Sequence, residues 1–511
     1  MPTTALGWTL ALLGTIAGYE LVRQAVVRRV RQRLRDGAVA FVRRHNVRLE
    51  SARFIDRLWL REALLVDPAI RLAMVEVAQA DGIPLAAVRM RVEHYVDEIA
   101  PAFSITAYYR VAAVLSRLVV EFAYEVVFDR SEVEAAVAAV PEGAVPVYVI
   151  NHRSNADYVV LSYGLLRHVA LSYAVGEWAR VWPLDVLFRA FGSYFVRRGE
   201  RDHLYHRVLE RYVQVLVGQG GVTGFFIEGG LSRDGLLRPP KAGLLDYLIG
   251  VRRHEPDREL AFIPVGINFD RVLEDRNLTA EAMGRVRRPS MLEKAASLLW
   301  LLARLPLLIG ANMVRVALRS HRKLGYAAVH VGRPVLLSEL ALDPDMARLP
   351  REQRRPLVDD VAKRLLQAVG RQVPATPVPL LCFALLQPGG TDDDAVVERV
   401  RCLLAELRAV GCPLAFGRAF PRLHEAESGI PGLDQAAEEL NESQVVVFLA
   451  GFALERRKLV VHDGGRFQVL PEHTHLLRYY ANSLVHHIPE TAARLPPSPL
   501  SPAGGADKGG A

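Results

Sequence analysis

The chain has little cysteine: Cys382, Cys402 and Cys412 are the three among 511 residues. They form no C-x-x-C pair and cannot build a disulfide framework, which fits a reducing compartment and excludes a zinc-finger site. Long uncharged runs are also scarce. There is no series of 20-residue apolar segments, so a polytopic membrane protein is excluded. The share of hydrophobic residues, 51% against 23% charged, rules out wholesale disorder and a collagen-like or coiled-coil fibre. No Walker-type loop, G-x-S-x-G elbow or H-E-x-x-H pair occurs. The glycines of Gly218–Gly224 are spaced one residue too far apart for a dinucleotide loop, and they precede a predicted strand, so they read as a turn.

The length implies two or three domains. The net charge is +8, and most of the excess sits at one end: residues 1–50 hold nine arginines, no lysine and three acidic residues. Just before the main arginine block, Ala5–Tyr19 (ALGWTLALLGTIAGY) carries no charge. A span needs about 20 apolar residues, so this is a marginal span or an interfacial anchor with arginines at the headgroups. The basic residues follow the apolar stretch, unlike those of a cleaved signal peptide. By the positive-inside tendency the chain after Arg23 is cytoplasmic. This predicts a protein at the cytoplasmic face of the cell membrane, peripheral or anchored through its N-terminus, with membrane lipids as partners. The arginine block lacks interleaved aromatics and adjoins an apolar segment, which disfavours nucleic acid. A second apolar stretch, Ala295–Leu318, is interrupted by Arg304, Pro306, Asn312 and Arg315. A mid-span charge costs at least roughly 2.5 kcal/mol, so this stretch reads as an interfacial or buried helical hairpin.

Along the chain the hydrophobic period changes. Residues 36–142 are amphipathic and helical. Ile70, Ala73, Met74, Val77 and Ala78 make one stripe, after an N-cap and first-turn proline at Asp67-Pro68, and Val92, Tyr95, Val96 and Ile99 make another. From residue 143 short β-rich runs alternate with helices. Strands are predicted at Val145–Ile150, Tyr194–Arg197, Gly224–Ile227, Leu260–Ile267 and Tyr326–Val331. Helices are predicted at Ala156–Leu166, Asp202–Leu216 and Leu244–Val251. The alternation predicts an α/β domain at 143–340 with a mostly parallel sheet flanked by helices. A mainly helical region follows at 341–490, with helices at Glu352–Val369 and Asp393–Val410, a proline-rich break at Val373–Pro379 and a hairpin of Val445–Phe448 with Lys458–Val461. The segment 1–35 is set apart as anchor and basic block, and the Pro/Gly/Ser-rich end, 491–511, as a disordered tail.

The segment Val147–Tyr158 (VYVINHRSNADY) carries the chemistry. A strand runs into a turn that holds His152, and Asp157 sits in the first turn of the helix that follows. Loops at strand C-termini are where α/β sheets bind ligands. An aspartate five residues on can reach back to one ring nitrogen, fix the tautomer and leave the other nitrogen to accept a proton from a hydroxyl. Alone, H-x4-D is a weak pattern, and Asp157 also suits a plain helix N-terminal charge.

Further blocks follow in order: residues 192–198 (GSYFVRR), 226–233 (FIEGGLSR), 239–243 (PPKAG) and 262–270 (FIPVGINFD). With the H-x4-D block they resemble the glycerolipid acyltransferase family. Residues 96–104 and Tyr108, 329–340 (VHVGRPVLLSEL) and 477–487 (LRYYANSLVHH) are similar to segments of the large bacterial glycerol-3-phosphate acyltransferases. The resemblance covers roughly residues 90–490. It implies the glycerolipid acyltransferase fold and acyl transfer from acyl-CoA or acyl-carrier protein to the sn-1 hydroxyl of glycerol 3-phosphate, giving lysophosphatidate. His152 would be the general base, oriented by Asp157. Arg197, Arg198, Arg233 and Lys241 would form a cationic pocket for the phosphate, where guanidinium forks pair with its oxygens. Glu228, Gly229 and Ser232 would shape that loop or bond the glycerol, with Pro264 from the strand block beside them. No cofactor or metal is implied. One departure stands out: the third block usually reads E-G-x-R-S-R, and here Leu231 replaces its first arginine. That leaves open another acceptor, lysophosphatidate or dihydroxyacetone phosphate, and, in a different class, a catalytically inactive membrane-bound scaffold. His486 and His487 read as a solvated helix face.

Overall fold

The computed structural model describes residues 57–99, 120, 123–165, 172–176, 193–197, 200–285, 323–340, 344–415 and 441–500. Ala5–Tyr19, the arginines after it, Ala295–Leu318 and Arg198 lie outside the described residues. Among the described residues no helix is long and apolar enough to cross a membrane. The strands are β1 (Glu125–Phe128), β2 (Val145–Ile150), β3 (Ser172–Gly176), β4 (Tyr194–Val196), β5 (Thr223–Phe226), β6 (Leu260–Phe269), β7 (Tyr326–Val331), β8 (Val335–Leu336), β9 (Val460–Asp463) and β10 (Arg466–Val469).

The chain divides into two compact units. The first is Met1–Leu115, Leu165–Tyr212 and Gln219–Gly221. Its helices include Pro68–Asp81 and Leu85–Ile99, and the first begins and ends where local chemistry directs. Asp67 accepts the N–H groups of Ala69 (3.0 Å) and Ile70 (3.3 Å), and Pro68 occupies the first turn. Gly82, in the left-handed region at φ 65°, ends the first helix. Both predicted stripes face the interior: Ile70, Ala73 and Met74, then Val92, Tyr95, Val96 and Ile99, are buried. Strands β3 and β4 pair in parallel, with Ala174 opposite Tyr194.

The second unit is Ser116–Gly164, Val213–Gly218 and Val222–Ala511. Its sheet runs β1, β7, β6, β2, β5, with β8 also on β6. β2 is parallel to β5 and to β6, and β1 to β7; β7 and β8 run antiparallel to β6. All positions of β6 are buried, so it reads as a continuous apolar run and not as an alternation. Pro264 sits in this central strand without breaking it. Its carbonyl accepts Gly332 N–H at 2.9 Å, and in an extended strand a residue's N and O face the same neighbour. The missing N–H therefore faces the turn between β7 and β8, and no bond to β2 is lost. Asp270, just past β6, accepts the N–H groups of Tyr326 and Val378, each at 2.9 Å. This pins the start of helix Pro377–Leu386 to the sheet, and burial pushes the Asp270 carboxyl up to about 6. That helix is buried at every position, as an all-apolar helix must be.

Several expectations are corrected. Glu125–Phe128 falls in the expected helical stretch 36–142, yet it pairs with β7 as part of the sheet. Val445–Phe448 is no strand: it lies in helix Glu442–Arg456, opened by a capping box between Asn441 and Gln444. The hairpin is β9–β10, closed by Gly464 (φ 56°) and Gly465 (φ 73°), the two positive-φ positions of a type I′ turn. Pro377 and Pro379 do not break the chain but open helix Pro377–Leu386. Leu495 and Leu500, in the expected tail, are buried; residues 501–511 lie outside the described residues. His486 and His487 are not a solvated face. Their Nε2 atoms lie 2.9 Å from Gly370 O and 2.8 Å from Val373 O, at the end of helix Arg351–Gln372. Burial, with His487 beside it, pushes His486 down to about 3.

Gly266 is the tightest point between sheet and helix. A Cβ there would meet the Gln372 carbonyl carbon and oxygen at 2.1 Å and Val373 N at 2.3 Å. All three are backbone atoms, so the clash cannot be relieved by a rotamer change. Gly266→Ala is expected to destabilise the protein by about 1–3 kcal/mol or more, read as a lower urea midpoint at unchanged m-value.

Candidate active site

The site lies in the second unit, at the C-terminal edge of β2 and β5. Past Ile150 the ladder is continued by a side chain: Asn151 donates through Nδ2 to Ile267 O (3.0 Å) and accepts Ile267 N–H at Oδ1 (2.8 Å). The chain then turns over His152–Ala156 into helix Asp157–Leu165. Asp157 Oδ2 gathers the turn. It lies 2.9 Å from His152 Nδ1 and accepts the N–H groups of Arg153 (2.7 Å) and Ser154 (3.1 Å). His152 is 1% exposed and Asp157 0%. The imidazole stacks on Phe226 at 3.9 Å and meets Tyr158 edge-on at 5.7 Å. Its Nε2 has no hydrogen-bond partner among the described residues. This arrangement can hold the Nδ1–H tautomer and leaves Nε2 as an acceptor for a hydroxyl proton.

Two other carboxylates hold the turn from outside. Glu228 Oε1 accepts His152 N–H and Oε2 accepts Arg238 N–H, each at 2.8 Å. Glu274 accepts Ser154 Oγ–H at 2.7 Å, Asn155 Nδ2–H at 3.1 Å and Asn155 N–H at 3.3 Å. The loop that carries Glu274 is tied down by Tyr480, whose hydroxyl accepts Val272 N–H (3.1 Å) and donates to Asp275 Oδ2 (2.5 Å), and by Arg457, which pairs with Asp275.

The loop after β5 folds back on His152. Ser232 N–H donates to His152 O (3.1 Å), and Ser232 Oγ bonds Leu236 O (2.7 Å) and Gly235 N–H (3.1 Å). Gly229, at φ 63°, lies against Lys241, and Lys241 N–H donates to Ile227 O at 2.7 Å. Gly235, at φ 88°, lies so close to Tyr479 O that a Cβ would come within 1.9 Å of it. Asn482 Nδ2 donates to Asp234 O (2.7 Å), and the buried Arg153 guanidinium bonds Gly235 O and lies 5.4 Å from the Tyr479 ring centre.

The structure therefore brings together His152, Asp157, Glu228, Gly229, Ser232, Arg233 and Lys241. Glu228 and Ser232 are spent on shaping the loop, and Pro264 is inside β6. Arg233 pairs with Glu281 at 2.7 Å, both half-exposed. Arg197 belongs to the first unit. There it forks onto Glu98 (2.8 and 2.7 Å), bonds Glu200 (2.7 Å) and stacks over Tyr95 and Tyr205. Arg153, Arg238 and Glu274 were not singled out from the sequence. Glu274 bonds residues about 120 positions away, which no local pattern signals. Among the described residues no group of three His, Cys, Asp or Glu side chains could hold a metal ion.

An acyltransferase family model matches residues 135–268, and a glycerol-3-phosphate acyltransferase C-terminal region model matches residues 311–493. Over both segments the chain is thus similar to acyltransferases. It is 26% identical over 378 residues to a glycerol-3-phosphate acyltransferase of Haemophilus influenzae (strain PittEE), covering 72% of this chain and 44% of the relative. It is 28% identical over 452 residues to that of Aeromonas hydrophila subsp. hydrophila, covering 84% and 50%. It is 28% identical over 367 residues to that of Ectopseudomonas mendocina (strain ymp), covering 69% and 42%. The chain thus spans about half the length of these relatives. In the acyltransferase segment, the match takes in β2, the His152 turn, β5 and nearly all of β6. The matched C-terminal segment supplies Tyr479, Tyr480 and Asn482.

Burial raises the Glu228 carboxyl from its usual 4.5 to about 7, against the pull of the Arg238 and His152 N–H groups and of the Arg153 and Arg238 guanidiniums. Between those values the folded chain holds a proton that the unfolded chain has released. The stabilising contribution is complete below about 4.5 and is lost as pH rises through about 7. The stability of the wild type relative to Glu228→Gln should fall across that window and then level off, as followed by urea denaturation. A difference that stays flat or rises would contradict the assignment.

Proposed function

We propose that the protein transfers an acyl group from a thioester, acyl-CoA or acyl-carrier protein, to the sn-1 hydroxyl of glycerol 3-phosphate, giving lysophosphatidate. The observation that carries this is the buried His152–Asp157 pair with Nε2 unpartnered. As the hydroxyl oxygen attacks the thioester carbonyl, its proton passes to Nε2. The C–S bond breaks, and the proton goes on to the departing thiolate. Asp157 orients the ring and stabilises the imidazolium. No acyl-enzyme is needed, since the hydroxyl attacks the thioester directly; the serine of the turn, Ser154, has its Oγ–H on Glu274. An inactive scaffold is disfavoured, because a buried ring nitrogen without a partner costs stability. Leu231 favours one rival reading, a different phosphorylated acceptor.

The deciding experiment is an assay of the purified protein with one acyl-CoA against a panel of phosphorylated acceptors. Glycerol 3-phosphate should be used best, and His152→Ala should lower turnover by about 10²–10⁴-fold with an unchanged circular dichroism spectrum. Near-normal turnover in folded His152→Ala would sink the mechanism.

The protein works at the cytoplasmic face of the membrane, held by Ala5–Tyr19 and the six arginines within Arg23–Arg35. Basic residues at an anionic surface contribute about 1 kcal/mol each. Removing residues 1–35 should release the protein from anionic vesicles while activity in detergent is largely kept. Full sedimentation of the truncated protein with vesicles at high salt would move the anchor to Ala295–Leu318.

A further inference from the structure

Leu231 leaves the loop after β5 without the cation that its sequence block usually carries at that position. We propose that Arg238 supplies it: its guanidinium binds the phosphate of the acyl acceptor and sets acceptor specificity. This deepens the acyl-transfer reading above and rests on it.

One contact holds that guanidinium, and three more tie its surroundings to the main chain of His152. Arg238 Nη1 donates to Leu231 O at 3.2 Å. That oxygen belongs to the same peptide group as Ser232 N–H, which donates to His152 O at 3.1 Å. One peptide group thus lies between the Arg238 side chain and the main chain of the general base. The main chain of Arg238 is tethered as well. Its N–H meets Glu228 Oε2, and the other oxygen of the same carboxylate holds His152 N–H, each at 2.8 Å. The Arg238 guanidinium therefore lies against the backbone of residue 231, though it comes from seven residues further on.

Of the other cations on or beside this loop, Arg233 faces the Glu281 carboxylate and Arg153 is buried against Tyr479, while Lys241 is exposed, its stem lying against Gly229. The Arg238 guanidinium bonds one neutral carbonyl, and among the described residues it makes no ion pair. It is half-buried: partly removed from water, which strengthens a charge pair, yet open to a ligand. Its remaining N–H groups keep the planar fork that matches phosphate oxygens. A phosphate held there would lie near His152, where anchoring it would position the attacking hydroxyl.

The phosphate could also come from the acyl donor, and steady-state kinetics separate the two sources. KM is measured for glycerol 3-phosphate and for acyl-CoA, with the full chain, in wild type, Arg238→Leu, Arg238→Lys and the double variant Leu231→Arg with Arg238→Leu. Circular dichroism and thermal melts report on folding. Arg238→Leu should raise KM for glycerol 3-phosphate roughly tenfold or more, the range of a lost charge-assisted bond, with KM for acyl-CoA unchanged. Arg238→Lys should fall between. The double variant, which returns an arginine to 231, should recover most of the loss; a variant that merely misfolds would not be rescued this way. An unchanged KM for glycerol 3-phosphate in Arg238→Leu overturns the assignment while the acyl-transfer reading stands. A rise in KM for acyl-CoA instead also overturns it, placing the guanidinium on the donor. A wild type that acylates no glycerol 3-phosphate removes the reading itself, and this assignment with it.

Discussion

The site depends on one carboxylate oxygen. Asp157 Oδ2 draws in the His152 ring, Arg153 N–H and Ser154 N–H, so the spacing of the motif becomes a closed turn at the end of a buried strand. The two backbone donors fix where the carboxylate sits, and the carboxylate then fixes the imidazole. Its position in the first turn of helix Asp157–Leu165 adds the helix dipole to the same cause. The stack on Phe226 and the edge contact with Tyr158 hold the ring plane. What remains open to chemistry is a single nitrogen.

Around this turn the protein spends acids on backbone donors. Buried Glu228 and Asp270 each accept two main-chain N–H groups, and half-buried Glu274 accepts that of Asn155. Such groups are costly to bury alone and are held only where their acceptors are satisfied. The C-terminal helices belong to the same scheme. Tyr480 and Arg457 hold the loop that bears Glu274, and Asn482 and Tyr479 hold the loop that bears Ser232 and Arg238. The region beyond the sheet thus braces the two loops that frame His152.

The sequence by itself determined the elements whose causes are local. β2 falls where its β-branched run lies and β7 on the short run YAAVHV, Asp67-Pro68 starts its helix, and His152 with Asp157 was legible because five residues across a turn leave few ways to meet. β9–β10 was legible only in part, through the run Lys458–Val461 that overlaps β9, since the run VVVF at 445–448 carries strand propensity while the capping box at Asn441 and burial of Val445–Val447 make it helix. The tertiary structure alone decided the rest. Pro264 is tolerated in a central strand because β7 and β8 part opposite it, and Glu125–Phe128 is a strand because β7 is there to pair with it. Arg197 turns to Glu98, and Arg238 reaches Leu231, because distant or folded-back backbone brings those groups within hydrogen-bonding distance. The physical reason is one of range: propensity, capping and short turns act over a few residues, whereas a buried polar group takes whichever partner the packed fold brings to it.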